Sequence, residues 1–149
     1  MMKCMGVAGL LLLGVTFGCS GTVPDNLGVR DGRLSACPDS PNCVSSQAQP
    51  EDEKHFIEPL TYTGPKADAM KRLFGVLNTQ ERVKIVQKSG DYLHVEFKTA
   101  LMRFVDDVEF YFPDEPVIHV RSASRLGTSD LGVNRKRVEL LRSLFNEKP

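Results

Sequence analysis

The sequence predicts an α+β domain in which an antiparallel sheet of about five strands carries two helices on one face, in the order β-α-β-β-β-β-α. Two observations predict it. Two apolar stripes with helical spacing, Met70-Leu73-Phe74-Leu77 and Val138-Leu141-Phe145, bracket the middle of the chain. Between them lie four segments of strand character joined by short, turn-rich links, the pattern of a meander.

An export signal precedes that domain. Lys3 is the only charge among the first eighteen residues, Met5 to Phe17 is an unbroken apolar or small-residue run, and Gly18-Cys19 closes it. A basic start, a short apolar run and a small residue before the cut describe a secretory signal over residues 1–18. A membrane-spanning helix needs about 20 apolar residues, and this run is shorter. Val15-Thr16-Phe17-Gly18-Cys19 resembles a lipobox, so Cys19 is the expected lipidation and palmitate site. Phe17 is uncommon in that pattern, and the alternative is an ordinary signal that ends near a cysteine. Residues 19–34 begin small and polar and are expected to form a tether, with one domain over 35–149. Ser20 is not the acidic residue associated with inner-membrane retention, so the expected location is the outer membrane, facing the periplasm.

Composition narrows the function classes. Nineteen basic and nineteen acidic residues give a near-neutral chain, without the basic excess that nucleic-acid binding requires. With Cys4 in the signal and Cys19 at the lipid site, Cys37 and Cys43 remain, and an even pair in an exported chain reads as a disulfide. The intervening Pro38-Asp39-Ser40-Pro41-Asn42 is turn-prone. A redox pair would want C-x-x-C near a helix start, and two cysteines without nearby histidines make a poor zinc site. No metal and no cofactor is expected.

The elements follow in order. His55 to Tyr62 is a short strand in which Pro59 marks an edge or a bulge. Gly64-Pro65 opens the first helix and Asn78 ends it. Arg82 to Lys88 alternates loosely up to the turn signal Ser89-Gly90-Asp91. Tyr92 to Thr99 alternates cleanly, with Leu93, Val95 and Phe97 on one face and His94, Glu96 and Lys98 on a face that reads as solvated. Phe104 to Phe112 and Val117 to Arg125 form a hairpin across Pro113-Asp114-Glu115-Pro116. The last helix begins near Ser129 or Asp130, either of which could cap it.

Keeping apolar residues together sets that hairpin's register. Aligning Val108 with Val120 and Phe110 with Ile118 places Asp107 opposite Arg121 and Glu109 opposite His119. Asp106 then falls on the core face with Ser122 as partner, and needs a donor such as Ser122, Arg103 or Arg125. A bulge at Asp106-Asp107 would instead turn both carboxylates outward. Arg121 to Arg137 is the most polar stretch of the chain. One reading is an anion site at a helix start, built from Ser124, Ser129, Asp130 and Asn134 with Arg121, Arg125 and Arg135. The structural reading is a capped loop-to-helix junction whose arginines pair with Asp106, Asp107 and Asp130; it is preferred because those acidic partners are available.

Several stretches also resemble the family named domain of unknown function 1499. They are residues 27–34, residues 37–47 from Cys37 to Gln47, residues 103–110 from Arg103 to Phe110, and the Arg121-to-Arg137 stretch. The resemblance implies bacterial exported or lipid-anchored relatives, as well as plastid ones, and it carries no catalytic assignment. The element order is similar to that of TATA-binding-protein-like or helix-grip-like folds, a likeness of fold that says nothing about DNA.

No Gly-rich phosphate loop, Gly-x-Ser-x-Gly elbow or His-Glu-x-x-His helix occurs. A triad of Ser122 or Ser124 with His119 and Asp106 fails because Ser122 and His119 alternate to opposite faces. The leading expectation is therefore a non-enzymatic envelope protein, held at the membrane by its lipid, that binds a small lipid-like ligand or an envelope protein. Phe97, Phe104, Phe110 and Phe112 would line an apolar cavity or, as preferred, form ordinary core. The alternative is a hydrolase or transferase acting on an anionic envelope molecule through Asp106, Asp107, Arg121 and Arg125.

Overall fold

A computed structural model describes residues 21–100 and 103–147 of the chain. The stretch expected to form the signal, and Cys19, lie outside the described residues. The elements are β1 (Cys43–Ser45), β2 (Leu60–Thr61), α1 (Lys66–Leu77), β3 (Val83–Ser89), β4 (Tyr92–Lys98), β5 (Val105–Tyr111), β6 (Val117–Ser124) and α2 (Val133–Glu147). The predicted β-α-β-β-β-β-α order is present, with β1 as an additional short strand. The sheet is antiparallel, in the order β1-β6-β5-β4-β3, and β2 lies beside the start of β6.

Strand alternation sets the two faces of this sheet. Val44, Leu93, Val95, Val108, Phe110, Ile118 and Val120 point to one side and form the core with Leu73, Val76 and Leu77 of α1 and Val138, Leu141 and Phe145 of α2. The α1 stripe is rotated slightly from expectation. Ala69 and Val76 are buried with Leu73 and Leu77, whereas Met70 and Phe74 pack at the margin. Pro65 precedes the helix at φ −66°, where the missing N–H costs nothing, and Asn78 closes it. Phe110 and Phe112 are ordinary core.

The hairpin register differs from expectation by two residues. Phe110 pairs with Val120, Glu109 with Arg121, Val108 with Ser122, Asp107 with Ala123 and Asp106 with Ser124. A two-residue shift preserves the faces, so apolar alternation alone cannot choose between the registers. The loop decides it: Pro113 and Pro116 have no N–H to donate, Phe112 donates its own to Asp91 O, and Val117-Ile118 pair instead with Thr61-Leu60. No bulge forms at Asp106-Asp107; the irregularity lies between Ile85 and Gln87 in β3.

The second face is not solvated as expected, because residues 24–34 cover it. Gly28 N donates to Glu109 Oε1 at 2.8 Å, and Gly32 lies against the Tyr111 hydroxyl. Arg30 and Arg33 exchange backbone hydrogen bonds across Asp31 (φ 52°) and Gly32 (φ 73°), the Asp-Gly turn with two positive φ values. Gly21 packs so closely on β6's exit that a Cβ there would lie 2.9 Å from Arg125 Cβ and 3.2 Å from Leu126 Cγ. The expected tether over 19–34 is thus corrected: the chain is already docked on the sheet from residue 21. Its small residues let it lie close to the strands.

Candidate functional site

Two polar clusters flank β5 and β6, one on each face. On the covered face, Asp107 of β5 receives Arg125 Nε and Nη2, both at 2.7 Å, while Arg125 Nη2 also reaches Glu96 Oε1 at 2.5 Å. His94 Nε2 contacts Asp107 Oδ1 at 2.7 Å, and because a carboxylate only accepts, that nitrogen carries the proton. Glu109 accepts from Gly28 N, from Tyr92 Oη at 2.9 Å and from Arg121 Nη1 at 3.1 Å. The register explains the arrangement. Glu96 stands directly beside Asp107 across β4 and β5, and two adjacent carboxylates require a shared cation.

Burial makes these pairs consequential. Asp107 and Glu109 have no solvent exposure and Arg121 has 4 %. Burial pushes the Asp107 carboxyl upward, but hydrogen bonds from Arg125 and His94 outweigh it and hold the group below the usual carboxylate value of 3.8. Burial, together with the Glu109 charge, raises the Tyr92 phenol. The Arg125 guanidinium is held charged, chiefly by its hydrogen bonds to Asp107. Arg121 Nε is buried without a hydrogen-bond partner among the described residues. At the turn end of this face, His119 Nδ1 meets Ser46 Oγ at 3.1 Å, and burial plus nearby Arg33 depress its proton affinity.

On the core face, the donor to Asp106 is Arg137 of α2, at 2.5 Å, and not the expected Ser122, Arg103 or Arg125. Arg137 also donates to Asn134 Oδ1 at 2.7 Å and lies over the Phe97 ring at 4.9 Å. Asn134, fully buried, is the hub: its Oδ1 accepts from Ser122 Oγ at 2.5 Å, and its Nδ2 faces Ser124 Oγ, Asp130 Oδ2 and Asn42 O. Asp130 caps α2 by accepting Asn134 N at 2.8 Å, whereas exposed Ser129 makes only a 3.4 Å contact with Leu131 N. Arg135 fastens the Glu53 and Lys54 carbonyls at 3.1 Å. Arg103 stands exposed in the β4–β5 connection at φ 54°, away from both clusters.

The predicted site residues therefore separate. Asp107, Arg121 and Arg125 lie on the covered face, and Asp106, Ser122, Ser124, Asp130 and Asn134 on the core face, with Arg103, Ser129 and Arg135 outside both. Arg121 and Arg125 already face carboxylates, so an incoming anion would have to displace one. The disulfide Cys37–Cys43 is present and holds the Asn42 loop against Asn134. Among the described residues no group of three His, Cys, Asp or Glu side chains is placed to hold a metal, and no helix is long and apolar enough to cross a membrane.

Sequence reasoning missed a groove on the helix side of the sheet. It has a volume of about 600 Å³ and opens between the chain after α1, the end of β4 and the outer side of α2. Phe97, Val133, Leu140 and Leu141 give it an apolar floor, and Arg82, Lys98, Lys136 and Arg137 surround it. Arg82 is paired with Glu81 and Arg137 with Asp106, whereas Lys98 and Lys136 have no ion pair among the described residues. Leu140, half exposed on a helix face away from the core stripe, was the available sequence signal.

No curated protein and no solved structure matches the chain. Residues 33–145, well over half of it, match a family model described as a protein of unknown function, DUF1499. This agrees with the motif resemblance, and the chain belongs to the DUF1499 family.

Proposed function

We propose that the chain is a non-enzymatic envelope lipoprotein, anchored through Cys19, whose groove beside α2 binds a small anionic, lipid-like ligand. The observation that carries this reading is the groove itself. Its volume suits a small molecule, its floor is apolar, and its two lysines without ion pairs are complementary to an acidic head group. Hydrolase or transferase chemistry through Asp106, Asp107, Arg121 and Arg125 has less support, since Asp107 is paired with Arg125, Asp106 with Arg137 and Arg121 with Glu109.

Titration of the purified protein with lysophosphatidylglycerol tests the reading. Saturable binding is expected, and the double variant Lys98→Glu/Lys136→Glu should weaken it by about tenfold or more, about 1.4 kcal/mol. Absence of saturable binding, or an affinity indifferent to the double charge reversal, overturns it. The anchor is tested separately: Cys19→Ala should move the protein from the membrane to the soluble fraction.

A further inference from the structure

The placement of Gly21 has a geometric corollary for the membrane. Gly21 is docked against Arg125 and Leu126, and it lies two positions after Cys19, with only Ser20 between them. Covalent geometry limits two extended residues to about 7 Å. A lipid on Cys19 would therefore hold the β6–α2 connection at the bilayer, with no slack for the domain to stand away. That connection is where exposed apolar side chains gather. Leu131 is 86 % exposed, Val133 39 % and Leu126 36 %, and Val23 beside Gly21 is 59 % exposed. Leu131 also holds a left-handed φ of 53°, a conformation disfavoured for leucine, and it contributes nothing to the core. Neither backbone preference nor packing within the domain accounts for an apolar residue there.

We infer that Leu126, Leu131 and Val133, together with Val23, form a face that docks directly into the leaflet carrying the Cys19 lipid. Exposed Lys136, one turn beyond Val133, is placed for the anionic head groups of that leaflet. Val133 belongs both to this face and to the groove, so the groove opens beside the bilayer. This inference rests on the lipoprotein reading and extends it from an anchor to a fixed orientation. The Pro113–Pro116 turn then lies at the far end of β6, about 26 Å along the strand from the docking connection, eight residues at about 3.3 Å each.

The test uses the lipidated full-length protein, reconstituted into phosphatidylethanolamine–phosphatidylglycerol vesicles containing a doxyl-labelled lipid as quencher. An environment-sensitive thiol probe is placed at Ser129→Cys in the docking connection or at Glu115→Cys in the distant turn, both exposed positions. Docking predicts strong quenching and a blue shift at 129, neither at 115, and loss of the 129 signal in the Leu131→Asp/Val133→Asp background while flotation with vesicles is retained. Flotation with equal quenching at both positions, or with none at 129, overturns the docking face but leaves the anchor standing; a protein partner or second copy on this face would give the latter result. Failure of the wild type to float removes the anchor and the docking face together.

Discussion

Asp106 and Arg137 form a pair inside the core face, with side chains only 3 % and 10 % exposed. Removing one member leaves an uncompensated buried charge, which costs about 3–5 kcal/mol, whereas replacing both by apolar groups is close to neutral. Arg137→Met should therefore lower the urea midpoint sharply, and Asp106→Leu in the same chain should restore most of it. Alternation showed that Asp106 needs a donor, but α2's rotation about its axis selects Arg137, and no local pattern encodes that angle. His119 and Asp107 set the pH response. Both bind protons less readily when folded than when unfolded, so acid favours the unfolded chain. The His119 contribution is complete above 6.5 and is lost as pH falls below it; the Asp107 contribution is complete above 3.8 and is lost on further acidification. Urea midpoints measured from pH 8 to pH 3 should fall in two stages, with His119→Gln flattening the upper stage only.

At the scale of elements, period-two alternation revealed the core faces of β4, β5 and β6, and period-3.6 stripes revealed both helices, because core packing selects apolar residues at those spacings. Proline chemistry, rather than alternation, decided the β5–β6 register. The second sheet face was misread because its residues are polar and the segment that covers it is composed like a linker. A row of Glu96, Asp107, Glu109 and Arg121 on one face, with carboxylates side by side, was the available sign that the face is sealed. The disulfide loop acts through Asn42, which joins β6, the Gly127 carbonyl and Asn134. Closing so short a loop is worth about 2 kcal/mol in the chain-entropy model. Cys37→Ser/Cys43→Ser should cost that much, and hydrogen exchange should report loosening at β1 and the first turn of α2 before the rest of the sheet. β3, at the sheet's open edge, carries Lys84, Lys88 and an irregularity at Ile85/Gln87, devices that discourage pairing with another chain.

For the molecule as a whole, α1 and α2 build the core on one side of the sheet while residues 24–34 close the other. Deleting residues 22–33 should uncover Tyr92, His94 and Glu109 and lower the thermal midpoint markedly; an unchanged midpoint would show that the covering segment contributes no stability. The fold class was legible because it follows from element order. The groove was not, because it is made by three segments that meet only in space. The cover also bears on time. Gly28 finds Glu109 81 positions later, and Asn42 finds Asn134 92 positions later. A growing chain therefore meets its first residues' partners only near the end of synthesis, and contacts of such long sequence separation form slowly. Until α2 has emerged, Asp106 lacks its Arg137 cation and Asn42 lacks Asn134, so premature compaction on the core face gains little. A chain built this way closes its last buried pairs only once α2 is made, which, if it is exported as proposed, would keep it open for threading through a translocation channel.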